Sequence, residues 1–304
     1  MKMKSILLTA FAASAFAVGS AQANMLISAG TKLSLYTDTG ILIKHYSETL
    51  SNAQGVAVDP SGNAYVSDLG NGTIKMFDPS GNFVRDVMTS LYGGGTTPSP
   101  FALAWNPTAE GLAATVSNVT TTGNTRMVNF DVSTSNTIIG AGQSLGGNYE
   151  GLTYASNGYL YATVANVSQF FSANGPTFAG TYYSLTGGAL KGIAIKTSTD
   201  NKFFVDFNGG QVISSQSGTI ISNLTSPLGV ALTGDTVGTD TLFVANWGAG
   251  TVGQYSLTGT QIGSSFSVPG AAYLAYTAVP EPATWALLAL GLTVVVTLGR
   301  RRSA

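Results

Sequence analysis

The stretch Gly55 to Val84, GVAVDPSGNAYVSDLGNGTIKMFDPSGNFV, constrains the fold more than any other, because it spells four short strands separated by three tight turns. The runs Gly55-Val56-Ala57-Val58, Ala64-Tyr65-Val66-Ser67 and Thr73-Ile74-Lys75-Met76-Phe77, with a fourth from Phe83, alternate with turns built from Asp, Pro, Ser, Gly and Asn. Pro fixes the entry of a turn, and Gly and Asn accept the positive φ that closes it, so the pattern predicts an antiparallel meander. A single meander cannot bury its own faces and needs further copies stacked against it.

Worn copies follow. Aligned on the first strand, they start at Ala102, Gly151, Gly192, Gly229 and Tyr273, with spacings of 47, 49, 41, 37 and 44 residues. That is the period of a four-stranded propeller blade, roughly 40–50 residues. Second strands keep step at Tyr65–Asp68, Leu160–Thr163, Phe203–Asp206 and Leu242–Asn246. Met25 to Ile43 reads as strands two to four of a blade without its first strand, whereas Ala271 to Thr277 reads as a first strand with nothing after it. Joined, they make one blade and pair the two ends of the domain, which removes exposed strand edges. The expected fold is all-β, a six-bladed propeller over residues 24–278 with a composite closing blade. A stacked solenoid or a sandwich accommodates the same strands but does not account for the two complementary half-units.

Composition narrows the function classes. Only 9% of residues are charged, 44% are hydrophobic and 38 are Gly, a turn-rich, low-charge mixture with enough apolar surface for a core. No Cys is present, which excludes thiol catalysis, thiolate metal sites and disulfides. Outside the two ends, eight basic residues face thirteen acidic ones. A domain near −5 without a basic stripe is not a nucleic-acid binder.

The ends read as addresses. Lys2 and Lys4, the apolar run Ile6 to Val18 and the small residues of Ala21-Gln22-Ala23 predict a signal peptide over residues 1–23, cut before Asn24 by signal peptidase. At the other end Val279-Pro280-Glu281-Pro282 precedes a predominantly apolar run of 17 residues, Ala283 to Gly299, and then Arg300, Arg301 and Arg302. As a helix that run spans about 25 Å at 1.5 Å per residue, enough to cross the inner membrane with help from Trp285 and the arginines. The arginines are expected on the cytoplasmic side.

Two resemblances rest on these residues. Gly55 to Phe83 resembles an NHL repeat of bacterial β-propellers, with a fainter likeness at Gly229–Thr258 and Ala102–Asp131. Residues 279–304 resemble the PEP-CTERM sorting signal of Gram-negative bacteria: a Pro-Glu-Pro motif, one span and a terminal basic cluster, in that order. The second resemblance implies recognition by an exosortase at or near Pro280-Glu281-Pro282. It also implies an exported protein, held first at the inner membrane, then at the cell surface or in an exopolysaccharide or biofilm matrix.

Candidate chemistry lies where first strands begin and second strands end. Gln54, Phe101, Glu150, Lys191 and Leu228 fill the first set of slots, and Asp68, Asp206 and Asn246 the second. Glu150, Asp206, Asp68 and Asn246 offer hard oxygens suited to Ca²⁺ or Mg²⁺. In lactonase-type propellers a Glu, an Asn and an Asp from such slots hold a divalent metal, an arrangement these residues could imitate, although they fall in the wrong blades for a residue-by-residue transfer and the opening Glu-Gly-Pro motif is missing; the alternative role for these Asp and Asn residues is in turns. The single His, His45, has no placed catalytic partner and reads as a strand residue. Trp105, Trp247 and Tyr149, Tyr154, Tyr159 and Tyr161 either stack on sugars or, as expected for most of them, pack between blades. The sequence therefore favours a non-enzymatic surface or matrix module that binds polysaccharide or another surface protein. A metal-dependent lactonase- or lyase-like enzyme is the alternative.

Overall fold

The computed structural model describes residues 23–90, 97–117, 125–139, 143–145, 147, 149–172, 177–233 and 240–278. They form one unit, Ala23–Ala278, of six four-stranded antiparallel sheets arranged as the blades of a propeller. The first blade supplies β1 (Ala23–Ala29), β2 (Lys32–Thr37) and β3 (Leu42–His45). The second holds β4 (Ala53–Val58), β5 (Ala64–Asp68), β6 (Thr73–Phe77) and β7 (Phe83–Met88), the four strands spelled by Gly55 to Val84. The third holds β8 (Ser99–Asn106), β9 (Gly111–Ser117), β10 (Thr125–Phe130) and β11 (Gln143–Leu145). The fourth holds β12 (Tyr149–Tyr154), β13 (Leu160–Val164), β14 (Val167–Phe171) and β15 (Phe178–Ser184). The fifth holds β16 (Leu190–Lys196), β17 (Asn201–Asp206), β18 (Gln211–Ser214) and β19 (Gly218–Ile221). The sixth holds β20 (Pro227–Leu232), β21 (Thr241–Asn246), β22 (Thr251–Ser256) and β23 (Phe266–Ser267), and β24 (Ala271–Ala278) returns to the first blade. Apart from a 3-10 turn at Trp247–Ala249, the described residues contain no helix.

The composite blade is as the two half-units predict. β24 is its innermost strand, and β1 pairs with it from Ala23↔Ala278 to Ala29↔Ala271. Each of the other blades starts with its innermost strand and runs outward in chain order. β1 starts at Ala23, one residue before the expected cleavage point. Residues 1–22 and 279–304, which carry Ala21, Val279, Pro280, Glu281, Pro282, Arg300, Arg301 and Arg302, lie outside the described residues. No described helix is long and apolar enough to cross a membrane, and the apolar run 283–299 is not among the residues this covers.

A repeated large–small–large triplet on the innermost strands explains how the blades pack. The triplets are Val56-Ala57-Val58, Leu103-Ala104-Trp105, Leu152-Thr153-Tyr154, Ile193-Ala194-Ile195, Val230-Ala231-Leu232 and Leu274-Ala275-Tyr276. Alternation in a strand sends the large pair to one face and the small residue to the other. Leu103 and Trp105 cluster with Ala57, Leu152 and Tyr154 with Ala104, and Val230 and Leu232 with Ala194. Leu274 and Tyr276 cluster with Ala231, and Val56 and Val58 with Ala275, so the same rule carries round the closure. At five of the six seams one blade thus lays two large side chains over the small one of the blade before it.

The residue ahead of the triplet is Gly where adjacent backbones nearly touch. A Cβ on Gly192 would lie 2.6 Å from the Leu228 carbonyl oxygen, and one on Gly229 2.6 Å from that of Ala272. Buried hydroxyls stitch the same seams. Ser67 donates to the Phe101 carbonyl (2.7 Å), Thr115 to that of Tyr149 (2.8 Å) and Thr163 to that of Lys191, each reaching the next blade. Ser28 takes the corresponding place in the first blade, but its bond, accepted from the Tyr273 N–H at 3.1 Å, lies within the composite blade, between β1 and β24.

Candidate functional site

The six innermost strands surround a central channel with two unlike ends. At its waist stand Val56, Leu103, Leu152, Ile193, Val230 and Leu274, one from each blade, at equivalent positions and all between 5% and 8% exposed. This aliphatic ring separates a narrow end, where the strands begin, from a wide end, where they finish.

The narrow end has a cavity of about 40 Å³ bounded by Gly55, Glu150, Gly151, Gly192 and Tyr273 among others. Its one carboxylate, Glu150, is held by the Lys191 ammonium at 2.5 Å. Tyr273 is raised well above the usual tyrosine value, first by burial and then by the nearby Glu150 charge.

Asp68, Asp206 and Asn246 occupy one equivalent position, the last residue of the second strand in their blades, and each folds back onto the chain leading into that blade. Asp68 accepts from the Ser51 N–H (3.0 Å), the Asn52 N–H (2.8 Å) and the Asn71 side-chain amide (2.7 Å). Asp206 accepts from the Ala189 N–H and the Gln211 amide, both at 2.9 Å. Asn246 accepts from the Thr225 N–H at 2.7 Å. Glu150, Asp206, Asp68 and Asn246 are therefore not gathered at one centre. Among the described residues no group of three or more His, Asp or Glu side chains is placed to hold a metal ion. The physical reason is in the register. Ala53 pairs with Asp68, Leu190 with Asp206 and Pro227 with Asn246, and an irregularity follows each pair, so the incoming chain presents N–H groups that these side chains accept.

Of the other candidates, Gln54 donates to Asn52 at 2.8 Å, beside the Asp68 cluster. His45 lies on the outer strand β3 with Nδ1 2.8 Å from the Ser34 hydroxyl. Trp105 stacks on Tyr65 of the preceding blade (5.8 Å, 20°), Tyr161 stacks on Phe170 (5.8 Å) and Tyr149 meets Phe171 edge-on (6.1 Å). These rings pack within and between blades, whereas Trp247 is 47% exposed on the narrow-end face.

The wide end is the larger space, about 370 Å³, rimmed by Val58, Trp105, Tyr154, Ile195, Leu232 and Tyr276, with Thr153 and Pro107 beside them. Among the described residues no acidic or basic side chain lines it. Burial pushes the Tyr154 hydroxyl up to about 12, against the opposing effect of Asn129 and Asn106 beside it. Sequence reasoning placed ligand chemistry at the opposite mouth. The signal for this one is the third residue of each triplet, large in all six blades and aromatic in three.

Comparison with known proteins bears on the segment that follows β24. Residues 278–303 match the PEP-CTERM protein-sorting motif. The chain thus carries a PEP-CTERM sorting signal. That signal implies an exported protein processed by an exosortase. No curated protein matches the chain. Among solved structures, a protein of unknown function from Bacteroides caccae is similar with a TM-score of 0.62 at 11% identity, over 84% of this chain and 98% of that one. A chain of a nidogen/laminin complex is similar with a TM-score of 0.67 at 14% identity, again over 84% and 98%. At such identities the likeness is one of fold.

Proposed function

We propose that this PEP-CTERM protein is delivered by exosortase processing to the cell surface or extracellular matrix, where its propeller acts as a non-enzymatic binding module for matrix polysaccharide or another surface protein. The observation that carries the reading is the pairing of a sorting motif at 278–303 with a propeller whose Asp68, Asp206 and Asn246 side chains are committed to holding its own backbone. Signal peptidase acts at the Ala21–Asn24 boundary, and the segment 283–299 holds the intermediate in the inner membrane until the exosortase acts near Pro280-Glu281-Pro282. A solved neighbour of the same fold occurs in a complex between two proteins, which suits a binding role. Deleting residues 279–304 is expected to abolish surface or matrix retention while the propeller is still exported. Unchanged retention of the truncated protein would refute the sorting half of the proposal.

The enzyme reading retains one observation, that Glu150 and Tyr273 border the narrow cavity. Calorimetry with Ca²⁺ and Mg²⁺ decides it. Saturable binding lost in Glu150→Ala supports a metal-dependent propeller, and absence of heat supports the binding module.

A further inference from the structure

The wide end of the channel has a size, a charge and a polarity that together select a ligand class. Its volume of about 370 Å³ falls within the range of small-molecule pockets, roughly 300–1,000 Å³. The narrow cavity, about 40 Å³, holds little more than one water, whose share of liquid volume is about 30 Å³.

Charge is the second constraint. Among the described residues the lining side chains are aliphatic or aromatic apart from Thr153, and none is acidic or basic. Tyr154, with its pKa pushed up to about 12, is neutral at any physiological pH. A charged ligand entering here would lose hydration and gain no counter-charge, a cost that burial makes steep. The domain's excess of acidic over basic residues adds long-range repulsion of anions.

Polarity is the third. Each of the six innermost strands pairs with a neighbour on one side only, so the backbone groups of its other edge belong to the channel. Tyr276 and Thr153 are the lining residues that add hydroxyls, whereas Tyr154 lays its ring along the wall and donates its hydroxyl to Asn129 Oδ1 (3.4 Å), two strands out from the channel. Below this neutral, hydrogen-bonding rim lies the aliphatic waist.

We infer that the wide end of the channel binds one or two rings of an uncharged sugar and turns away acidic sugars. A neutral sugar offers hydroxyls to the rim and C–H faces to the aliphatic and aromatic walls. The inference rests on the reading of the propeller as a binding module and names its ligand and its site.

The full-length protein with Trp247→Phe and Trp285→Phe leaves Trp105 as the only tryptophan of three, and its emission reports on the wide end. Glucose, galactose and N-acetylglucosamine are titrated against it, with glucuronic acid as the acidic counterpart. At least one neutral sugar is expected to saturate with a Kd of about 1–10 mM, in the range of −3 to −4 kcal/mol, and glucuronic acid to bind at least about tenfold more weakly. Tyr276→Phe, which removes one hydroxyl and no packing volume from the lining, is expected to weaken the neutral sugar about tenfold with an unchanged melting temperature. No saturable response to any of the three, equal or tighter binding of glucuronic acid, saturation by 1-octanol instead, or sugar binding indifferent to Tyr276→Phe each overturns the inference. If the protein nonetheless reaches the surface and retains matrix through another face, the delivery and binding reading stands and only the site is wrong.

Discussion

Gly229→Ala tests the close approach of blades at the seam where the sixth blade meets the composite one. The added Cβ would lie 2.6 Å from the Ala272 carbonyl oxygen and 2.9 Å from Tyr273 Cα, both backbone atoms of β24. Neither can rotate away, so the strand itself must move. Overpacking of this kind costs about 1–3 kcal/mol. Against it, Ala stiffens the unfolded chain and returns about 0.4–1 kcal/mol. Gly229 does not use positive φ, so no backbone strain adds to the clash. The net is a loss of about 1–2 kcal/mol, which for a domain of this size lowers Tm by roughly 2–8 °C. Thermal unfolding followed by circular dichroism reads this directly, with Gly192→Ala, 2.6 Å from the Leu228 carbonyl, as a second seam. A Tm equal to or above the parent's in both variants would refute the claim that these glycines exist to let backbones meet.

Three further outcomes follow from the packing and the charges. Lys202 is fully buried, with its ammonium 4.6 Å from the Tyr161 ring centre, 4.3 Å from that of Tyr182 and 2.8 Å from Asp200. Burial works against its charge, but the Asp200 hydrogen bond and the two rings outweigh it and raise its pKa. Its stabilising contribution is therefore complete at neutral pH and is lost only as pH rises through that raised value, and Lys202→Ala should cost about 2–4 kcal/mol in a denaturant titration. Tyr46 and Tyr154 are held at about 12, chiefly by burial, against 10 for a free tyrosine. Because the unfolded chain ionises first, stability should fall between pH 10 and 12 by up to about 2–3 kcal/mol per group, and a Tyr46→Phe/Tyr154→Phe double variant should flatten an alkaline denaturation profile. Asp68→Ala leaves the Ser51 and Asn52 N–H groups without their acceptor. A loss of about 2–3 kcal/mol is expected in chemical unfolding, and an unchanged midpoint would count against its turn-holding role.

Much of the fold is legible in Gly55–Val84 because its turns are spelled by residues with one conformational use each. The closing blade is legible because the missing strand at one end of the domain matches the surplus strand at the other. The candidate residues are legible as strand ends and illegible in role. Asp68, Asp206 and Asn246 do take equivalent positions, each ending the second strand of its own blade, without meeting at one centre. What sequence alone does not show is that the incoming chain bends past that position with its N–H groups exposed, which turns would-be metal ligands into backbone acceptors. The wide end was missed for a related reason. Its lining consists of apolar residues such as Val58, Ile195 and Leu232, which in a sequence cannot be told from core, and of strand edges, which carry no side-chain signature.

The ring closes through β24 against β1, and a chain without cysteine allows that pairing to be tested cleanly. Leu26 and Ala275 are directly opposed across the two strands, 249 positions apart in the chain. Leu26→Cys/Ala275→Cys is predicted to form an intramolecular disulfide under mild oxidation, seen as faster migration on a non-reducing gel and loss of free thiol. Leu26→Cys/Thr277→Cys, two rungs out of register, is predicted to keep both thiols. Free thiols in the first pair, or equal cross-linking in the second, would contradict a propeller closed by the two ends of its own domain.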